Sequence, residues 1–281
     1  MKDFNDKVAA ITGAGSGIGR ALSVELAARG CHIALSDVDD AGMAETVAMA
    51  EQVGSVKIST RIVDVADRAA IEDWAQAVVE EHGKVNLIFN NAGVALGATV
   101  ESMSYDNFEW LMDINFWGVV NGTMTFLPLI KDTGDGHVIN ISSVFGLMAI
   151  PSQSAYNAAK FGVRAFTDAL RIELDMEPCG VSATTIHPGG IRTNIARNAR
   201  MESAADEDPP DADQAALDFE KFARTSPEKA AQLILGAVGK NKRRALIGRD
   251  AHVFDFAARV SPRGSQWALG KLAARNNSPL I

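Results

Sequence analysis

Short apolar segments with strand character alternate with longer segments of helical periodicity along most of this 281-residue chain. Because the strand-like segments are apolar on both faces, they fit a parallel sheet that helices cover on each side. The sequence therefore predicts an α/β fold with a doubly wound parallel sheet of about seven strands. The seven segments are KVAAIT (7–12), HIALSD (32–37), VKISTRIV (56–63), VNLIFN (85–90), HVINIS (137–142), VSATTIHP (181–188) and RRALIG (243–248).

The length of the chain is compatible with a single domain over residues 1–281. An acidic, proline-containing patch, MESAADEDPPDAD, breaks the regular alternation within residues 194–226. Long insertions of this kind form lids or disordered loops, and we expect a substrate lid here. Residues 250–281 extend beyond the last strand; they could roof a pocket, dock on a neighbouring subunit or lie on their own core.

Composition argues against several classes of partner. The formal net charge of −8 disfavours nucleic acid and anionic membranes. No segment approaches the roughly 18 apolar residues of a membrane span, and the first residues lack the layout of a signal peptide. Cys31 and Cys179 form no C-x-x-C pair, and the five histidines show no H-x-x-x-H spacing. We therefore expect a cytoplasmic protein that binds no metal, nucleic acid or membrane.

A glycine-rich segment, TGAGSGIG (12–19), follows the first strand directly and opens the first helix. Gly13, Gly17 and Gly19 let the backbone turn tightly and approach a pyrophosphate, whose charge the amino end of a helix stabilises. Similar turns without ligands also connect strands to helices. The position of this turn near the start of the chain favours a dinucleotide.

Acidic residues follow the second and third strands. A carboxylate at Asp37 can accept hydrogen bonds from both adenosine ribose hydroxyls of NAD and repel the extra phosphate of NADP, although a solvated Asp is the alternative. Arg20 is a nearby cation that could bind this phosphate or simply face solvent. Asp64 either meets the adenine amino group or caps the helix that begins near Asp67.

Two further patterns are not specific on their own and indicate a function only in the context of a particular fold. The fourth strand runs into NNAG (90–93), whose amides could hold the strand end and the cofactor ribose or could form an ordinary turn. Tyr156 and Lys160 are four residues apart, so a helix places both on one face. On its own, that spacing is common on helix surfaces.

Taken in order, these motifs resemble the short-chain dehydrogenase/reductase family, and in particular its shorter branch, which oxidises alcohols or reduces carbonyls. The resemblance covers about residues 5–195, with a last strand near 243–248. It implies a Rossmann-like form of the predicted fold and an enzyme that acts on CH–OH groups. It rests on TGAGSGIG, Asp37, Asp64, NNAG, Asn115, Ser143, Tyr156-x-x-x-Lys160 and PGGIRT (188–193).

The resemblance implies a catalytic set of four residues: Asn115, Ser143, Tyr156 and Lys160. Hydride transfer at a carbinol carbon requires a proton to leave or reach the substrate oxygen, and Tyr156 would carry it. Lowering a phenol pKa by about three units favours phenolate by roughly 4 kcal/mol, which a nearby ammonium can supply. Ser143 would bind the substrate oxygen beside Tyr156, with Ser142 as the competing serine. Asn115 would brace a water between Lys160 and solvent.

The resemblance also implies a set of cofactor contacts. Pro188 and Gly189 would redirect the chain, and the Ile191 amide would meet the nicotinamide carboxamide, unless the segment is only a strand-ending turn. Thr193 would bond that group or a phosphate, and the neighbouring His187 receives no catalytic role. The full set is Gly13, Ser16, Gly17, Ile18, Gly19, Asp37, Asp64, Val65, Asn91, Ala92, Gly93, Tyr156, Lys160, Pro188, Gly189, Ile191 and Thr193.

NAD is the expected cofactor, with NADP less favoured. The substrate should be an apolar secondary alcohol or ketone, such as a steroid, a terpenoid or an acyl compound, because the expected pocket walls are apolar. The alternatives are an NADPH-linked 3-ketoacyl reductase and a non-catalytic NAD-binding sensor. The walls are Val94, Ala95, residues 144–150 and, in the lid, Ile195, Met201, Leu217, Phe219 and Phe222.

Assembly is also expected. The helices near residues 107–125 and 154–177 carry more apolar side chains than one sheet face covers, among them Phe116, Trp117, Phe161 and Phe166. In the family that the chain resembles, these helices form a four-helix dimer interface. We therefore expect a homotetramer, with a dimer as the second choice.

Overall fold

A parallel sheet forms the centre of the computed structural model, which describes residues 3–203, 217 and 223–276. The strands of this sheet in the described chain are β1 (Val8–Thr12), β2 (His32–Asp37), β3 (Ile58–Ile62), β4 (Leu87–Asn90), β6 (Gly136–Ile141), β7 (Val181–Pro188) and β9 (Arg244–Ile247). Their order is β3-β2-β1-β4-β6-β7-β9. Two short strands, β5 (Leu96–Gly97) and β8 (Arg200–Met201), pair separately.

All seven predicted strands are present, and every pairing in the main sheet is parallel. The chain starts at the centre, builds outward to β3 and then returns to build the other half from β4. The strand order therefore reverses between β1 and β4, where Ala9 lies opposite Leu87. Open α/β sheets bind ligands at the carboxyl ends of strands beside such a point. The predicted Rossmann-like α/β fold is confirmed.

The edge strands differ from the central ones. β9, the seventh predicted segment, forms one edge, and β3 forms the other. The expectation that each strand is apolar and buried on both faces is wrong for β3, where Ile62 is 61% exposed. An edge strand has a neighbour on only one side, so less of its surface is covered.

Helices cover both faces of the sheet. They are α1 (Gly17–Ala28), α2 (Asp40–Glu51), α3 (Arg68–His82), α4 (Tyr105–Met112), α5 (Gly118–Lys131), α6 (Ser154–Met176), α7 (Pro227–Gly239), α8 (Arg249–Val260) and α9 (Pro262–Asn276). Side chains alternate along a strand. Ile11 of β1 therefore packs with α1, α2 and α7, and Ala10 packs with α3, α5 and α6 on the other face.

The structure describes only part of the predicted lid (194–226) and of the extension after the last strand (250–281). Residues 204–216 and 218–222, which include Phe219, Phe222 and most of the acidic patch, lie outside the described residues. The extension after β9 forms α8 and α9, and α8 contacts a short 3-10 turn at Val144–Gly146. Across residues 3–203 and 223–276, no helix has the length and apolar character needed to cross a bilayer.

Two histidines lie fully buried in the sheet. His137 of β6 bonds the hydroxyl of Thr184 through Nε2 at 2.7 Å, and His187 of β7 donates from Nδ1 to the carbonyl of Ser143 at 2.9 Å. The second ring nitrogen of each histidine has no hydrogen-bond partner in the described structure. Burial lowers the pKa of His137 to about 3 and that of His187 to about 4, so both rings are neutral near pH 7.

Because unfolding lets both rings bind protons, we expect the free energy of unfolding to fall as the pH drops below about 6.5, the pKa of an unfolded histidine. Each buried ring contributes up to about 1.4 kcal/mol per pH unit as the pH falls from there toward its folded-state pKa. Urea unfolding, followed by circular dichroism at several pH values, measures the slope. His137→Gln should reduce it, whereas His252→Gln, an exposed position on α8, should not. Equal slopes for both variants would contradict this account.

Candidate active site

The glycine turn connects β1 to α1 at the carboxyl edge of the sheet. Gly13 and Gly17 have φ angles of +65° and +53°, a region that favours glycine. A Cβ on Gly13 would lie 2.8 Å from Cα of Ala92, and one on Gly17 would lie 3.0 Å from Cγ2 of Thr193. The side chain of Ser16, the N-cap residue of α1, makes no capping hydrogen bond here. The tight turn thus presents an amino end of a helix that an anion can cap.

Thr12 and Asn91 tie the end of β4 to this turn. The Thr12 hydroxyl accepts from the backbone N–H of Asn91 at 2.9 Å and of Ala92 at 3.0 Å. The Asn91 amide donates to the carbonyls of Thr12 and Gly13 at 3.0 and 3.1 Å. Thr12 was not among the predicted site residues, although it begins the glycine motif. Its role was missed because the hydroxyl serves a segment almost 80 residues away in the chain.

Asp37 lies at the rim of the glycine turn. Its carboxylate accepts the backbone N–H of Gly15 at 2.8 Å and that of Asp39 at 3.1 Å. Arg20 does not simply face solvent: its guanidinium donates to the carbonyl of Gly15 at 2.5 Å and pairs with Glu45 at 2.8 Å. The one cation considered for a second phosphate is thus already bonded to the turn and neutralised by a carboxylate.

Asp64 and Val65 follow β3. The alternative that Asp64 caps the next helix is wrong, because α3 begins at Arg68 and its N-cap is Asp67, whose carboxylate accepts from the N–H groups of residues 69 and 70. Asp64 instead accepts the N–H of Ala66 at 2.9 Å, within its own turn. Val65 is buried, and its side chain packs against Gly118 at the start of α5.

Asn115 lies in a π turn, Asp113–Trp117, between α4 and α5. Its amide forms two hydrogen bonds of 2.8 Å with the backbone N–H and C=O of Val94. A Cβ on Gly93 would lie 3.1 Å from Oδ1 of Asn115 and 3.5 Å from Nζ of Lys160. Predicted as part of one helix, Asn115 instead sits at a π turn, a feature common at functional sites. The NNAG segment, Asn115 and Lys160 therefore meet around Gly93.

The two serines after β6 have different surroundings. Ser142 is buried and donates to the backbone carbonyl of Lys160 at 2.8 Å, which holds α6 against the strand end. Ser143 is the N-cap of the 3-10 turn, its hydroxyl accepts the N–H of Phe145 at 3.1 Å, and it lies close enough to Tyr156 to lower the pKa of the phenol. Of the two, only Ser143 reaches the phenol.

Tyr156 and Lys160 lie in the first two turns of α6. Lys160 is 3% exposed, and its ammonium donates to the carbonyl of Ile141 at 3.2 Å and lies 5.6 Å from the centre of the Tyr156 ring. Burial lowers the pKa of Lys160 to about 8, so the ammonium is mostly charged near pH 7. Burial also raises the pKa of Tyr156 to about 12, partly offset by the Ser143 hydroxyl.

The PGGIRT segment continues from β7 and lies against the glycine turn. Pro188 ends the strand, and Gly189 donates its N–H to the carbonyl of Ile247 at 2.9 Å. Ile191 is buried and pairs with Thr225, near the end of the predicted lid segment. Thr193 touches Gly17, as the Cβ distance above shows. No group of three or more metal-ligating side chains occurs in the described chain.

These residues form one cluster at the carboxyl ends of β1, β4, β6 and β7. A family model described as short chain dehydrogenase matches residues 7–204. The chain belongs to the short-chain dehydrogenase family. It is therefore a dehydrogenase or reductase that acts on CH–OH groups, and the predicted family resemblance is confirmed.

Similar proteins agree with this family. SadH of Mycobacterium tuberculosis, which carries the name of an oxidoreductase, is 47% identical over 262 residues, 92% of each chain. Levodione reductase of Leifsonia aquatica is 35% identical over 228 residues, 80% of this chain and 82% of its own. A short-chain dehydrogenase/reductase of Burkholderia phymatum, solved in complex with NAD, superposes with a TM-score of 0.85 at 28% identity, covering 95% of this chain and 97% of its own.

The first described residues of the predicted lid rest on α4 in this short-chain dehydrogenase. Arg200 stacks its guanidinium on the Trp110 ring, 3.6 Å from the ring centre, and bonds the side chain of Asn107 at 2.9 Å. Glu202 accepts the N–H of Ser104 at 3.1 Å. Sequence reasoning missed these contacts, since none of the four side chains belongs to a recognisable motif.

Proposed function

We propose that this protein is an NAD-dependent dehydrogenase or reductase of apolar secondary alcohols and ketones. The observation that carries the proposal is the meeting of Ser143, Tyr156 and Lys160 beside the glycine turn. These groups have the chemistry that an alcohol oxidation needs: a hydroxyl for the substrate oxygen, a phenol for the proton and a buried cation to stabilise phenolate.

The chain's own residues fit a nicotinamide dinucleotide. The pyrophosphate would lie at the amino end of α1, and the Asp37 carboxylate would accept the adenosine ribose hydroxyls. Lys160 would hold the nicotinamide ribose, and Ile191 with Thr193 would hold the carboxamide. Bound NAD supplies the hydride acceptor and, when oxidised, a positive charge near the phenol.

Proton transfer is assigned to Tyr156. Burial raises the pKa of its phenol to about 12, which adds roughly 3 kcal/mol to the cost of phenolate relative to an exposed tyrosine. The Lys160 ammonium faces the same dry environment, where an opposite charge acts strongly. Ser143 would orient the substrate oxygen, and Asn115 would connect Lys160 to solvent through a water.

We infer the substrate class from the residues around Ser143. Val144, Leu147, Met148 and Ile150 are apolar and buried, and Phe145 lies 6.2 Å from Tyr156 between ring centres. Met201, at the start of the lid, touches Gly97 of β5. Apolar side chains on both the 3-10 turn and the lid favour a substrate with a hydrophobic body over a sugar.

The NADPH-linked ketoacyl reductase is less well supported as an alternative. A second phosphate would meet the Asp37 carboxylate and the exposed Val38, while Arg20 is engaged by Glu45. A sensor without chemistry has no observation in its favour, because the four predicted catalytic side chains are all present.

We further propose that the subunits assemble through α4, α5, α6 and the π turn. Large apolar side chains on these elements are exposed: Tyr105, Phe108, Trp117, Met124, Phe161, Ile172 and Met176. Phe116 and Phe166, also expected there, are only half-buried. An exposed apolar surface of this extent marks an interface, and the family relationship favours a homotetramer, with a dimer second.

Replacing the phenol tests the chemistry. Tyr156→Phe should reduce turnover of secondary alcohols by about 10²–10⁴ while NAD affinity stays nearly unchanged, because only the proton-carrying oxygen is lost. Lys160→Ala should weaken NAD binding and move the alkaline rise of the oxidation rate upward. Ser143→Ala should lower turnover with little change in that profile. Tyr105→Phe, which alters the other, exposed tyrosine, is the control. More than about a tenth of activity left in Tyr156→Phe would place the base elsewhere.

Calorimetric titration of NAD and NADP tests the cofactor. We expect NAD to bind at least about tenfold more tightly, a difference of about 1.4 kcal/mol. Asp37→Ala should narrow this gap by removing charge repulsion, whereas Asp40→Ala, an exposed carboxylate in the first turn of α2, should preserve it. Equal affinities of the unmutated protein would refute the preference.

Light scattering at micromolar concentration tests the assembly. The unmutated protein should have the mass of a tetramer, and Trp117→Arg or Phe161→Arg should reduce it, because either variant places a charge in the apolar interface. Val53→Arg, at an exposed position just after α2, should leave the mass unchanged. A monomeric mass for the unmutated protein would exclude the proposed interface.

A further inference from the structure

The first turn of α8 inserts a carboxylate into the PGGIRT segment. Oδ2 of Asp250 accepts the backbone N–H of Gly190 at 2.6 Å. The same carboxylate fills the space that a Cβ of Gly189 would need, and a Cβ on Gly248 would lie 2.5 Å from its Oδ1. Gly248 also has a φ of +101°, which favours glycine. One side chain from the C-terminal extension therefore occupies the space beside both glycines.

Backbone hydrogen bonds hold three other groups of this segment. Gly189 donates to Ile247 at 2.9 Å, Arg192 donates to Thr225 at 3.0 Å, and the carbonyl of Gly190 accepts the N–H of Thr225 at 3.3 Å. Asp250 adds a charged acceptor for the Gly190 N–H, and charge-assisted hydrogen bonds are about twice as strong as neutral ones. The carboxylate thus contributes the strongest described restraint on the middle of the segment.

The restraint acts next to a predicted cofactor contact. Ile191 follows Gly190 directly, and its buried side chain anchors the peptide on the other side. A shift of the Gly190 peptide would therefore move the Ile191 amide. The helix that carries Asp250 also contacts the 3-10 turn after Ser143, so it touches both the cofactor side and the substrate side of the site.

We propose that Asp250 is a positioning residue, which holds Gly190 and thereby sets the Ile191 amide at the nicotinamide end of the cofactor site. The inference rests on the proposed function, since the nicotinamide of a dinucleotide is the group that this amide would bind. Asp250 touches no reacting atom and acts only through the PGGIRT segment. The C-terminal extension is then part of the cofactor site rather than a peripheral addition.

Calorimetric titration of the full chain with NAD and with ADP-ribose tests the inference, because ADP-ribose has both riboses and the pyrophosphate but no nicotinamide. Asp250→Ala should weaken NAD binding by about tenfold and leave ADP-ribose binding unchanged. Asp250→Asn keeps a neutral acceptor of the same size and should give an intermediate effect. Asp255→Asn is the matched control. Its carboxylate anchors the same helix to Arg244 of β9 at 3.1 Å and also pairs with Arg259 within the helix at 3.0 Å.

The possible outcomes distinguish failure of the positioning role of Asp250 from failure of the proposed function. Equal weakening of both ligands by Asp250→Ala, or an unchanged affinity for NAD, would overturn the positioning role while leaving the dinucleotide site in place. If the unmutated protein binds neither ligand, the proposed function fails and the positioning role fails with it.

A measurement without ligand tests whether the Asp250 carboxylate packs against Gly189. Gly189→Ala should lower the melting temperature of the unmutated chain, because its methyl group meets the Asp250 carboxylate. The same substitution should cost much less in the Asp250→Ala background, where that space is free. An equal loss in both backgrounds would show that Asp250 does not set the position of the segment.

Discussion

Parallel pairing of β1, β4, β6 and β7 is the constraint on which the site depends. Strands that run in one direction end at one edge, so segments far apart in sequence emerge side by side. The glycine turn, NNAG, Ser143 and PGGIRT begin at or within two residues of these four strand ends. Each of these segments leaves the sheet within a few residues and enters a loop or a helix. The backbones of neighbouring segments therefore come into close contact. Glycines stand where this crowding is greatest, as Gly13 against Ala92 shows.

Burial has opposite effects on the two groups of the candidate acid–base pair. It lowers the pKa of Lys160 to about 8 and raises that of Tyr156 to about 12, because a dry environment disfavours both charges. The same low dielectric strengthens the attraction between an ammonium and a phenolate when both form. Lys160 tolerates its position because the Ile141 carbonyl accepts one of its hydrogens at 3.2 Å. A site of this design depends on added positive charge to ionise the phenol.

The later part of the chain completes what the sheet begins. α8 places Asp250 against the PGGIRT segment and lies beside the 3-10 turn after Ser143. The described start of the lid is held on α4 by the stacking of Arg200 on Trp110. Segments that follow or interrupt the regular α/β alternation therefore contact the PGGIRT segment and α4. Variation of such segments on a constant sheet is how one fold accommodates different substrates.

The amino-acid sequence by itself determined the seven strands, the doubly wound parallel architecture and the family, because hydrophobic periodicity and motifs in fixed order are local properties of the chain. It also singled out Ser143, Tyr156 and Lys160 as a candidate set, and the folded chain does bring them together. Only the tertiary structure decided that Asp67 rather than Asp64 caps α3, that Ser142 faces α6, that Arg20 is neutralised by Glu45 and that the Asp250 carboxylate lies against Gly189. These are contacts between side chains and backbone groups that meet only after folding, and no local pattern encodes which carboxylate reaches which N–H.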